Sequence, residues 1–146
     1  MSTITIKNTI YNIHKQDNGE LLLQPIKQIV INNLDDISQY DFCKSQIILC
    51  SINDKLFDKN KYKPILNKIY YLINSGSKII KNTNLNIETI EKENSGFYYL
   101  DKIGISVQGV DANKCIYEII NQCIKNYIKL EMNIKLQNND NILIDI

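Results

Sequence analysis

The side chains that carry most nucleophilic and acid–base chemistry in proteins are scarce in this chain of 146 residues. It has one histidine, His14, and four cysteines, Cys43, Cys50, Cys115 and Cys123. A general base must lie within hydrogen-bond reach of the group that it deprotonates. The sequence places no Ser, Cys or Asp beside His14, which falls in a segment typical of a β-strand. We therefore predict no catalytic residue and no enzymatic activity.

The cysteine spacing does not indicate a metal site or a disulfide framework. No CxxC pair occurs, and one histidine with four scattered cysteines lacks the spacing of structural zinc ligands. Cys115 and Cys123 stand eight residues apart on a predicted helix, a rise of about 12 Å, which is too long for a disulfide between them. We expect four reduced thiols that act as small apolar residues.

No cofactor motif is present either. The five glycines form no phosphate-binding loop, and Gly104 and Gly109 flank a predicted strand, whereas a dinucleotide fingerprint follows one. We interpret this pair as a kink in a strand and a turn between strand and helix. The sequence thus predicts no cofactor and no cofactor-binding residue.

The charge balance argues against a nucleic-acid partner. The chain contains 17 lysines and no arginine, against 16 acidic residues, so its net charge is only +1. Arginine is the side chain that pairs bidentately with phosphate and guanine, and nucleic-acid-binding domains carry a basic patch or stripe. This composition favours a protein partner, with a lipid or membrane surface as the second class.

Two features could form a binding site. Lys59, Lys61 and Lys63 make the most basic local stretch and could contact an anionic lipid or a partner. The helix predicted near the C-terminus carries an apolar stripe, and an apolar groove on it would be lined by Ile116, Ile120, Ile124 and Tyr127. The alternative is that the stripe is ordinary core and the lysines belong to a solvated loop.

The N-terminal quarter predicts strands. Residues 3–6 alternate polar and apolar side chains, and Ile10, Tyr11 and Ile13 continue the segment, as expected for a half-buried strand over residues 3–13. The turn residues Asp17-Asn18-Gly19 follow, so residues 20–24 are expected to return as a hairpin. Residues 26–31 predict a third strand, or a continuation of the second past a bulge at Pro25.

The middle of the chain alternates strands with one helix. The apolar run 46–52 predicts a central strand buried on both faces, and residues 64–73 show helical spacing until Ser75-Gly76. Strands are predicted over residues 78–81 and 85–90, and a long strand over 97–108.

The last third has the clearest pattern. Asp111 can cap a helix over residues 112–127, and strands follow at 130–136 and 142–144. These elements predict a single α+β domain spanning residues 1–146, with an antiparallel or mixed, curved β-sheet and two main helices packed on one of its faces. The N-terminus lacks a Sec-type signal and no window has the length of a membrane span, which indicates a cytoplasmic protein or one released by another route.

The chain resembles a known family. Its length, its Ile/Asn/Lys-rich clostridial composition, the strand–helix–strand unit over residues 102–137 and the segment from Ile105 to Lys114 are similar to the OrfX-type proteins of botulinum neurotoxin gene clusters, the smallest of them in particular. The resemblance implies a non-toxic accessory protein, related to tubular lipid-binding proteins and complexed with a larger partner. It transfers no functional residues, because no family motif maps onto this sequence.

We therefore expect a non-enzymatic accessory protein that binds a larger partner protein, a lipid, or both. The alternative is a small viral or bacterial inhibitor or immunity-type protein that binds one target. Such inhibitors often carry acidic surfaces, whereas this chain is balanced.

Overall fold

The computed structural model describes residues 2–6, 9–25, 28–74, 83 and 85–146. Within these residues the chain is an α+β protein with two α-helices, as the sequence predicts. Its strands form three sheets, whereas the sequence predicts one. The helices are α1 (Tyr62–Ile73) and α2 (Ala112–Lys125), and a 3₁₀ turn spans Asp35–Gln39. The strands are β1 (Thr3–Ile6), β2 (Thr9–Lys15), β3 (Leu21–Pro25), β4 (Gln28–Ile31), β5 (Gln46–Ile52), β6 (Lys55–Leu56), β7 (Ile87–Glu88), β8 (Phe97–Leu100), β9 (Ile105–Gln108), β10 (Leu130–Lys135) and β11 (Asn141–Asp145). The strand predicted over residues 78–81 and the first two residues of the one predicted over 26–31 lie outside the described residues.

The largest sheet has five strands in the order β4-β11-β10-β5-β6. Only the β4–β11 pair is parallel, so the sheet is mixed. Along β10 the side chains of Leu130, Met132 and Ile134 are buried while Glu131 and Lys135 are exposed. This period of two shows that the sheet packs on one face and leaves the other to solvent.

Both helices and the inner face of this sheet share one hydrophobic core. From α1 the core takes Ile65, Leu66 and Ile69, and from α2 it takes Ile116 and Ile119 among others. Because the helices cover only one face of the sheet, the predicted arrangement of two helices on one side is confirmed.

Helix α2 begins where the sequence places its cap. The Asp111 side chain accepts a hydrogen bond of 2.9 Å from the backbone N–H of Lys114. The helix ends at Lys125, two residues before the predicted end, and Tyr127 has a left-handed φ of 55°. That conformation stops the helical hydrogen bonding and turns the chain toward β10.

Two strand predictions are corrected. The long strand expected over residues 97–108 is a hairpin of β8 and β9, with Gly104 at φ 66° in the turn between them. Of the strand predicted over 85–90, only Ile87–Glu88 is in β conformation.

Strand β5 is buried on one face only, not on both as its apolar run predicts. A bulge opposite Asn133 and Ile134 places Ile48 and Leu49 in succession on the exposed side. The extra residue keeps Ile47 and Cys50 on the inner face despite their odd spacing.

A separate sheet, β1-β2-β3, forms an N-terminal arm within residues 3–25. The segment predicted as one strand over 3–13 is two antiparallel strands, with Ile4 opposite Tyr11. The turn predicted at Asp17-Asn18-Gly19 is confirmed, with Gly19 at φ 84° and its N–H bonded to the Gln16 carbonyl at 3.0 Å. None of the described helices has the length and apolar character needed to cross a bilayer.

Candidate functional site

The three predicted basic residues lie on the approach to α1. Lys59, Lys61 and Lys63 are all exposed, and Lys61 occupies the capping position before the helix. The Lys63 ammonium lies 3.8 Å from the centre of the Tyr98 ring, a cation–π contact. Lys63 is thus partly engaged within the chain, whereas Lys59 and Lys61 point to solvent.

The four predicted groove residues do not line one surface. Ile116 and Ile120 are fully buried in the core, while Ile124 is 42% and Tyr127 96% exposed. The stripe on α2 therefore divides between the interior and the solvent. An open groove formed by all four is not observed.

The structure does not place the single histidine and the cysteines, the residues best suited to catalysis, in one catalytic arrangement. His14 is on β2 opposite Leu22, and within the described chain it has no hydrogen-bond or ionic partner. All four cysteines are free thiols, three of them buried. Among the described residues, no group of three or more His, Cys, Asp or Glu side chains is placed to hold a metal ion.

Burial controls the reactivity of the thiols. It raises the pKa of Cys50 to about 11 and the pKa values of Cys115 and Cys123 to about 12. For the half-buried Cys43, desolvation and the neighbouring Asp41 also raise the pKa. Because the thiolate is the nucleophile, a raised pKa slows each cysteine at neutral pH.

Thiol titration checks this arrangement. In native protein at pH 8, an aromatic disulfide reagent is expected to label Cys43 first and the three buried cysteines only as the structure opens. In denaturant without reductant, all four should react. Rapid labelling of more than one native thiol, or fewer than four after denaturation, would contradict the structure.

One buried carboxyl joins the two helices. Glu118 on α2 is fully buried, and its Oε2 accepts hydrogen bonds from the Tyr70 hydroxyl on α1, at 3.0 Å, and from the Thr83 hydroxyl. Its Oε1 accepts a bond of 3.0 Å from Gln122 Nε2, one turn further along α2. Desolvation and the nearby Glu118 raise the pKa of Tyr70 well above its usual value, so this phenol stays a donor. Such a saturated carboxyl fits a structural role.

The sequence pattern does not single out Glu118. Glu118 stands between residues of the apolar stripe in the sequence. In an amphipathic helix such a position could equally face solvent, because charged residues commonly border the apolar stripe. The only local signal is Gln122 four residues later, on the same side of the helix.

The N-terminal arm has one apolar face and one polar face. In an antiparallel sheet, paired residues share a face and successive residues alternate between faces. Pairing of Ile4 with Tyr11 and of Ile13 with Leu23 therefore collects most of the apolar side chains on one side. This apolar arm face consists of Ile4, Ile6, Tyr11, Ile13, Leu21 and Leu23, with Lys15 at the end next to the turn.

The polar arm face carries the intervening residues. By register it includes Thr3, Asn12, His14, Leu22 and Gln24. Leu22 is apolar, and it follows Leu21 and precedes Leu23 in the chain. The three adjacent leucines thus alternate between the two faces of one strand.

Nothing in the described chain covers the apolar arm face. Ile4, Ile6, Leu21 and Leu23 are all exposed, Leu21 by 61%. Among the arm residues whose side chains are described, none is buried and none packs against the hydrophobic core. An amphipathic sheet of three strands needs its apolar side covered to be stable, so this face is the strongest candidate for a binding surface.

The sequence contains the signal for this surface. Ile4 and Ile6 alternate with threonines, and Tyr11 and Ile13 flank Asn12, so each pair lies on one side of its own strand. The antiparallel pairing of Ile4 with Tyr11 brings the two pairs to the same face. The pattern does not show whether the chain itself covers that face. Comparison with protein families, with curated proteins and with solved structures gives no match to this chain.

Proposed function

We propose that this chain is a non-enzymatic binding protein, and that its partner is a protein which covers the apolar arm face. The observation that carries the proposal is the arm itself: six apolar side chains lie on one side of a sheet, and none of the arm side chains that the structure describes packs against the core. In a soluble protein an uncovered apolar patch of this kind marks an interaction site. The partner would supply an apolar helix or sheet face of its own.

The chemistry of the rest of the chain is consistent with binding as the function. The single imidazole lies on the polar arm face opposite Leu22, and three of the four thiols are buried with raised pKa values. The proposal includes the accessory role and the larger protein partner that the OrfX-type resemblance implies.

Adjacent leucines on opposite faces give a matched test. Leu23 is 38% exposed on the apolar arm face, and Leu22 is 42% exposed on the polar one. Leu23→Lys places a charge in the proposed interface, whereas Leu22→Lys places the same charge one residue away on the other side. Burial of a leucine is worth about 1.5–3 kcal/mol, so Leu23→Lys should weaken binding at least tenfold.

The measurement is affinity purification from the native source with wild-type, Leu23→Lys and Leu22→Lys protein, followed by mass spectrometry and titration of the recovered partner. We expect a partner that is retained by wild-type and Leu22→Lys and lost by Leu23→Lys, with similar melting curves for all three. Equal retention by both variants would contradict the proposal. The identity of the partner distinguishes the two roles. A larger protein encoded in a toxin gene cluster would indicate the accessory role, and an enzyme or toxin that the chain inhibits would indicate the inhibitor role.

A further inference from the structure

A second site lies far from the arm along the chain, at the start of α2. A pocket of about 410 Å³ opens between the 3₁₀ turn and the first two turns of this helix. Its floor is apolar, since Ile37 and Phe42 are buried, and its sides are the half-buried rings of Tyr40 and Tyr117. Small-molecule sites have volumes of about 300–1,000 Å³ and mostly apolar linings, so the pocket has the size and character of such a site.

Tertiary hydrogen bonds hold the two walls together. The backbone N–H of Phe42 donates to Asn113 Oδ1 at 2.6 Å, and Asn113 Nδ2 donates to Asp41 Oδ1 at 3.0 Å. Asn113 therefore ties the segment after the 3₁₀ turn to the first turn of α2. These bonds fix the two walls relative to each other, which reduces the entropy that ligand binding must overcome.

One charged side chain lines the pocket, and it is cationic. Lys114 is exposed, and within the described chain it takes part in no ion pair. Two carboxylates of this region accept hydrogen bonds from other groups: Asp111 from the Lys114 N–H, and Asp41 from Asn113 and from the Cys43 N–H. Asp41 lines the neighbouring depression with Gln39 and Leu136, and not this pocket. A ligand in the pocket therefore meets an ammonium group.

We propose that this pocket binds a small organic monocarboxylate with an aromatic or branched apolar tail. The tail packs on Ile37 and Phe42 between the two tyrosine rings, and the carboxylate pairs with the Lys114 ammonium. An apolar cavity selects the tail, and a single cation at its edge selects one negative charge. This site is independent of the partner surface on the arm.

Three probes of one shape and different charge test the proposal: 4-phenylbutyrate, its neutral amide and 4-phenylbutylamine. Binding is measured by calorimetry and by NMR shifts of the Phe42 and Tyr117 ring signals. We expect the carboxylate to bind at least tenfold more tightly than the amide, and the amine to bind more weakly than both. Lys114→Gln should reduce the carboxylate affinity to that of the amide and leave the amide unchanged.

Two further variants separate the apolar part of the site from its charge. Tyr117→Ala, which removes one wall, should weaken the carboxylate and the amide by the same factor. Lys135→Gln, on the opposite, solvent-facing side of the five-stranded sheet, should change neither. Absence of any phenylbutyrate binding at millimolar concentration, equal affinity for all three probes, or an unchanged carboxylate affinity in Lys114→Gln would overturn the proposal.

Discussion

Ile116→Asp is expected to leave the protein unfolded at room temperature. The Ile116 side chain is completely buried in the core shared by the helices and the five-stranded sheet. Loss of a buried isoleucine costs about 2–5 kcal/mol, and burial of an unpaired carboxylate costs several kcal/mol more. A domain of this size has a total stability of about 5–15 kcal/mol, so most or all of it is lost. Circular dichroism with urea titration measures the effect.

Ile124→Asp is the matched control on the same helix. Ile124 lies two turns beyond Ile116 and is 42% exposed, so a carboxylate there keeps much of its hydration. The variant should unfold cooperatively within about 1 kcal/mol of wild type. If Ile116→Asp instead kept a normal transition, the α2 stripe would not be core, and the groove hypothesis for this helix would be restored.

The stripe on α2 shows what periodicity can and cannot predict. The cap at Asp111 and the helical spacing after it fix where the helix begins and which side is apolar, and both are confirmed. Periodicity does not reveal what covers that side. The core covers Ile116, Ile120 and the later Cys123 but not Ile124, which is 42% exposed on the same helix.

The N-terminal arm also shows that periodicity does not reveal what covers an apolar face, and here the face is exposed. The residues over 3–13 predict one half-buried strand, which would place Ile4 and Tyr11 on opposite faces, but two paired strands place them on the same face. Yet Ile4 and Ile6 are exposed, because burial depends on a second layer that these residues cannot encode. The end of a strand is also hard to predict without a strong turn signal, and Lys7 and Asn8, between β1 and β2, include neither glycine nor proline.

The hairpin of β8 and β9 was missed for a related reason. Aromatic and β-branched residues on both sides of the turn make residues 97–108 resemble one long strand. The turn between them contains Asp101 and Gly104, and the left-handed φ of 66° at Gly104 is accessible to glycine at no steric cost. A single glycine in a strand pattern also fits a kink, which was the interpretation made.

The pocket at the start of α2 could not have been found from spacing along the chain. Its two walls come from residues 37–42 and 113–117, and one amide side chain, Asn113, connects them. The basic cluster at Lys59, Lys61 and Lys63 attracts attention because its members are close in sequence. Lys114 stands alone in sequence, and only the fold places it beside an aromatic cavity.

Glu118→Ala has the second-largest expected effect, a loss of about 2–4 kcal/mol in the free energy of unfolding. The carboxyl is the shared acceptor for Tyr70, Thr83 and Gln122, so its removal deprives the buried Gln122 amide of this acceptor and leaves the Tyr70 hydroxyl only its longer contact of 3.4 Å with Thr83. The smaller side chain also leaves a cavity between α1 and α2. For a chain of this length the melting temperature should fall by about 5–15 °C.

Two companion variants show whether the hydrogen bonds or the packing carry this effect. Tyr70→Phe keeps the ring and removes one donor, so it should cost about 1 kcal/mol alone and almost nothing when combined with Glu118→Ala. Glu131→Ala removes an exposed carboxyl from the outer face of the sheet and should change stability by less than about 0.5 kcal/mol. If Tyr70→Phe and Glu118→Ala were fully additive in urea titrations, the two residues would not be coupled across the helix interface, and the proposed role of Glu118 in joining the helices would be wrong.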